Sequence, residues 1–174
     1  MIILYVILGI ILLLLIAGLF VSRDANYEKS ITIAADSEKV WQYIYKLSAM
    51  DRWSPWSSKD PDIKMTLTGT DGNVGAKQSW VSKVKNVGEG SQTIDKIVKP
   101  KLVETKLEFI KPFKSKADAY VKLSQEGNYT IVTWGFKSKM PYPMNLMKLF
   151  MNFEKSMDTD FGQGLGKLKE LCES

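Results

Sequence analysis

The chain has 174 residues and a formal charge of +5, from 24 basic and 19 acidic side chains. It contains no His and one Cys, which excludes Ser-His-Asp and Cys-His nucleophile systems, His-dependent metal sites and any internal disulfide. Arg23 and Arg52 are the only Arg residues, and no basic helix or finger motif accompanies the Lys excess, so nucleic acid is not an expected partner.

Ile2 to Val21 reads IILYVILGIILLLLIAGLFV, 20 residues without a charge, Pro, Asn or Gln. A helix of that length spans roughly 30 Å, the hydrocarbon thickness of a bilayer. An uncleaved single-pass membrane anchor is therefore expected over residues 1–21. A core helix of a soluble protein would be shorter and carry a polar stripe. A cleaved signal peptide would carry a basic segment ahead of a shorter apolar run. Arg23 and Lys29 follow the span, and the positive-inside rule then places the domain on the cytoplasmic side. Residues 22–26 read as a linker that reaches ~17 Å at most, which holds a domain at residues 27–174 against the bilayer.

Glu28 to Ile33 alternates as a strand, and Asp36 can cap a helix with Val40, Trp41, Ile44 and Leu47 on its apolar face. Met50 to Pro61 is aromatic and turn-rich. Strands follow with inner faces carrying Ile63, Met65 and Leu67; then Gln78, Trp80 and Val84; then Gln92, Ile94 and Lys96. A turn near Asn86 would set Gln92 opposite Trp80. Val103, Thr105, Leu107 and Phe109 form the next inner face, followed by Ala117, Ala119, Val121 and Leu123. After a Gly127-Asn128 turn come Val132, Trp134 and Phe136. Glu104, Lys106, Glu108, Asp118 and Lys122 take the opposite parity, as expected of an antiparallel sheet with one wet face. Beyond Pro143 the period turns helical, and Leu146, Met147, Phe150, Met151, Met157, Phe161, Leu165, Leu168 and Cys172 form one stripe. That stripe predicts a helix of about 25–30 residues starting near Pro143. Gly162, Gly164 and Gly166 interrupt it, and close approach of helix to sheet is the expected reason.

Several local sequences resemble the polyketide cyclase/dehydrase-like branch of the START-like (SRPBCC) superfamily. They are Asp51-Arg52-Trp53-Ser54-Pro55-Trp56, Val74-Gly75-Ala76 with Ser79-Trp80, Gly88-Glu89-Gly90, the run from Leu107 to Phe113, Val132-Thr133-Trp134 and Lys139-Met140-Pro141. The resemblance covers roughly Tyr27 to Leu171. It implies an α+β helix-grip fold, in which a curved antiparallel sheet wraps a long C-terminal helix and encloses an apolar cavity. It also implies a hydrophobic ligand, such as a lipid or polyketide, and no cofactor.

Read onto that fold, the expected lining is Trp80, Phe109, Ala117, Ala119, Trp134, Phe136, Met147, Phe150 and Met151, with Gln78, Gln92, Thr105 and Glu154 as its polar groups. Glu154 falls near the centre of the helical stripe, where a carboxylate needs a partner or a raised pKa. Lys96 is the partner its parity suggests. The leading expectation is a membrane-tethered protein that binds an apolar small molecule or lipid, with transfer of that ligand as an extension of the same role. One alternative is a cyclase- or dehydratase-like enzyme with Glu154 as acid/base, although no compact catalytic set supports it. The other is an interaction domain recruited to the membrane, with a filled core and a Lys-rich face between Lys96 and Lys122.

Overall fold

The computed structural model describes residues 1–150 and 152–174. The apolar run forms helix α1 (Ile2–Phe20), which is long and apolar enough to cross a membrane and is almost wholly exposed. Strand β1 (Asp24–Ile33) follows. Asp36 then accepts a hydrogen bond from the Lys39 amide at 2.7 Å and starts α2 (Ser37–Ile44). Two short helices, α3 (Leu47–Met50) and α4 (Pro55–Lys59), complete the crossing to the far side of the sheet.

The alternating segments become β2 (Lys64–Thr68), β3 (Lys77–Val81), β4 (Glu89–Val98), β5 (Leu102–Lys111), β6 (Ser115–Glu126) and β7 (Tyr129–Lys139). All seven strands form one antiparallel sheet in the order β1-β7-β6-β5-β4-β3-β2. The sheet curves around the C-terminal helix α5 (Phe153–Glu173), which packs chiefly on β1. Phe161, Leu165, Leu168 and Cys172 of α5 are buried against Ile33, Val40, Ile44, Leu47 and Val132. Each fully buried large side chain contributes roughly 1.5–3 kcal/mol. Gly164 explains one glycine of α5, because a Cβ there would lie 2.8 Å from Trp134 Cζ3. A Cβ on Gly166 would meet nothing within 4 Å, so close approach does not account for that residue.

Four expectations change. Asp24, Ala25 and Asn26, read as linker, already pair with Lys139, Ser138 and Lys137, which leaves only residues 21–23 between α1 and the sheet. The long helix begins at Phe153, not near Pro143. Asn152 accepts a hydrogen bond from the Lys155 amide at 3.0 Å and caps it, while Met144–Leu149 forms a separate 3-10 turn. Lys96 is exposed, because Asp95 is an extra residue in β4 that shifts the register between Ile94 and Lys96 and turns Ile97 toward the core. The β3–β4 register puts Gln92 opposite Gln78, and Trp80 opposite Gly90.

Candidate ligand cavity

The inner face of β3–β6 carries small or polar residues at Gln78, Gln92, Thr105 and Ala119, and α5 does not fill the space above them. A cavity of about 420 Å³ remains between the sheet, α3–α4, the 140–147 segment and the first turns of α5. That volume lies within the roughly 300–1,000 Å³ of small-molecule sites. It also differs from the filled core of the interaction-domain alternative.

Two aromatic groups shape the walls. Trp134 stacks on Phe161 with ring centroids 4.0 Å apart, and Trp53 meets Trp134 edge-on at 4.8 Å. Across the space, Trp80 meets Phe109 at 6.0 Å. The indole nitrogens of Trp53 and Trp80 donate to the Tyr43 and Val87 carbonyls, so the rings present apolar surface inward.

A short polar row crosses this apolar lining. Gln78 and Gln92 are cross-strand neighbours on β3 and β4. Gln92 Nε2 donates to Thr105 Oγ1 at 2.9 Å, and Gln78 Nε2 donates to Asp51 Oδ2 at 2.5 Å. Asp51 closes α3 and also lines the cavity. Burial is the main cause that pushes its carboxyl up to about 6; the Gln78 hydrogen bond opposes the shift and the Asp71 charge adds to it.

Of the residues expected at the site, Gln78, Trp80, Gln92, Thr105, Phe109, Ala119, Trp134, Phe136 and Met147 line the cavity. Met147 does so from the 3-10 turn and not from α5. Ala117 is buried but lies outside the cavity lining. Phe150 is 74% exposed and also lies outside it. Glu154 sits exposed in the first turn of α5, where a carboxylate favours the helix N-terminus, and does not reach the cavity. Met151 lies outside the described residues. Asp51 was missed because a short helix followed by a turn has no periodicity to report which way its side chain points. Its place in the Asp51-to-Trp56 run was the one available signal.

The cavity has an exposed rim. Lys111 at the end of β5, and Pro112, Phe113 and Lys114 from the β5–β6 connection, line it and face solvent. Met140, Pro141 and Met144 line it from the other side. The same 140–148 segment receives the end of α1. Asn145 Nδ2 donates to the carbonyls of Gly18 at 2.7 Å and Val21 at 2.9 Å, and Tyr142 Oη donates to Leu15 O at 3.2 Å. Lys148 Nζ reaches the carbonyls of Ser22 and Asp24. The two Asn145 bonds satisfy carbonyls that a helix end leaves free.

A curved antiparallel sheet that grips a C-terminal helix over an apolar cavity defines a START-like helix-grip protein. Residues 24–173 match the family described as polyketide cyclase / dehydrase and lipid transport, and the chain belongs to that family. Solved structures share the fold. A Thermobifida fusca protein is 20% identical, with a TM-score of 0.61, covering 85% of this chain and 93% of its own. Mll3558 from Rhizobium loti is 15% identical, with a TM-score of 0.62 over 85% of this chain and 96% of its own. Ara h 8.0201 is 12% identical, with a TM-score of 0.58 over 87% of this chain and 99% of its own. At these identities the likeness is one of fold. No curated protein matches the chain. Family membership and the cavity together support hydrophobic ligand binding.

Proposed function

We propose that this protein is tethered to a membrane by residues 1–21 and binds an apolar small molecule or lipid in the cavity, exchanging it with the bilayer. The observation that carries this is the double use of the 140–148 segment. Met140, Pro141, Met144 and Met147 face the cavity, while Tyr142, Asn145 and Lys148 hold the end of α1. A ligand leaving the rim is thereby close to the point where α1 would enter lipid. Exposed Phe113, Leu149 and Phe150, with Lys111 and Lys114, suit an interface where apolar side chains enter lipid and ammonium groups meet anionic headgroups. The three residues between α1 and β1 keep the domain at the surface, and Arg23 and Lys29 favour the cytoplasmic side.

The test uses the full chain reconstituted in donor vesicles that contain a fluorescent lipid, mixed with acceptor vesicles. Transfer above the protein-free rate, together with a lipid retained in native mass spectra, is expected. Transfer at the protein-free rate and spectra of the bare chain alone would rule the proposal out.

A further inference from the structure

Asp51 is a carboxylate set into the wall of an apolar cavity with no cation paired to it among the described residues. Its one side-chain hydrogen bond comes from Gln78 Nε2, at 2.5 Å. Of the lysines that line the cavity, Lys111, Lys114 and Lys139, none pairs with Asp51, and Lys111 binds Glu89. Asp71 binds the Leu47 amide and the Ser48 hydroxyl, Arg52 lies over the Tyr43 ring, and Asp160, the other acid lining the cavity, pairs with Lys59 at 2.6 Å. Along the same polar row Gln92 Nε2 donates to Thr105 Oγ1. Asp51 is the ionisable group of that row, and its carboxylate keeps lone pairs free for a ligand.

Resting on the cavity-binding proposal above, we infer that Asp51, oriented by Gln78, is the polar pole of the cavity and selects ligands with an apolar body and a hydrogen-bond-donating head, a hydroxyl or an amine, over carboxylates. An ionised carboxylate accepts from O–H or N–H and repels a second carboxylate. A carboxylate ligand fits only when one proton is shared between the two acids, as in any close carboxyl pair. Burial of Asp51 brings that protonation into an accessible range, with its carboxyl at about 6. The chain has no His to respond across the same interval.

The experiment compares 2-naphthol with 2-naphthoate, two bodies of one shape that differ in head group. Binding to the full chain in nanodiscs is measured by calorimetry at pH 5 and pH 8, with empty nanodiscs subtracted. Naphthol should bind with affinities within about threefold at the two pH values, and naphthoate should weaken by at least about tenfold from pH 5 to pH 8. Asp51→Asn should make naphthoate binding independent of pH. Naphthol binding alongside naphthoate binding that is equal at both pH values would overturn the role of Asp51 and leave the cavity proposal standing. A pH response that persists in Asp51→Asn would do the same. Failure of both probes at both pH values would remove the cavity proposal and this inference together. The wild-type comparison requires no variant to fold.

Discussion

Asn145 Nδ2 donates to the Gly18 carbonyl at 2.7 Å, which joins the turn behind the cavity to the end of the apolar helix. Asn145 is fully buried, and the same nitrogen also serves Val21 O. Truncating it leaves both carbonyls without this donor, at a cost of about 1–3 kcal/mol to the docking of α1. In Asn145→Ala, trypsin should cut after Arg23 several-fold faster than in the wild type, while unfolding of the sheet domain stays cooperative. An unchanged cleavage rate would show that the clip does not hold α1.

Asp51 makes stability depend on pH in a defined direction. Its folded-state pKa lies near 6, above its ordinary value of 3.8. Between those values a folded Asp51 binds more protons than an unfolded one, so its contribution to stability is greatest below pH 4, falls as pH rises to about 6 and is level above that. The full shift corresponds to about 3 kcal/mol, and partial exposure reduces the expected effect to about 1–2 kcal/mol. Asp51→Asn should therefore be the more stable protein at pH 8 by that amount and no more stable at pH 4, as read from denaturant midpoints. Equal midpoints at both pH values would mean that Asp51 carries no such penalty.

Two glycines of one helix should respond with opposite signs. Gly164→Ala drives a methyl to 2.8 Å from Trp134 Cζ3 and 3.1 Å from Pro55 Cδ, and should destabilise by about 1–3 kcal/mol. Gly166→Ala enters open space and should stabilise by up to about 1 kcal/mol through helix propensity. Thermal unfolding of the two variants checks both signs.

Much of this fold was legible as local pattern. Charged residues at alternate positions marked β5 and β6, the Gly127-Asn128 pair marked the two-residue turn between β6 and β7, and Asp36 marked the start of α2. The rest depended on tertiary choices. The apolar stripe ran unbroken through Leu146 and Phe150, so its period could not reveal that Asn152 begins a new helix or that Asn145 turns away to bind α1. One extra residue, Asp95, reversed the facing of Lys96, and strand alternation carries no warning of a bulge. Nine cavity residues followed from inner-face parity and the stripe, but Asp51 comes from a short helix end whose direction only the packed structure sets.

Phe113 and Phe150 are 54% and 74% exposed, so charging them should leave stability within about 0.5 kcal/mol of the wild type. Under the proposed exchange with lipid, Phe113→Asp/Phe150→Asp should slow vesicle-to-vesicle transfer several-fold. Transfer at the wild-type rate would remove these side chains from the exchange path.

The occupancy of the cavity by an apolar molecule is tested most directly at Ala119, whose small side chain leaves space opposite α5. The full chain in nanodiscs is titrated with N-phenyl-1-naphthylamine, and energy transfer from the cavity tryptophans, Trp53, Trp56, Trp80 and Trp134, reports binding inside. The wild type should show saturable transfer to one molecule per chain, and Ala119→Phe, folded but with the space filled, should lose at least about 90% of that affinity. Equal saturable binding by Ala119→Phe, or no saturable transfer in the wild type, would contradict a ligand site between the sheet and α5.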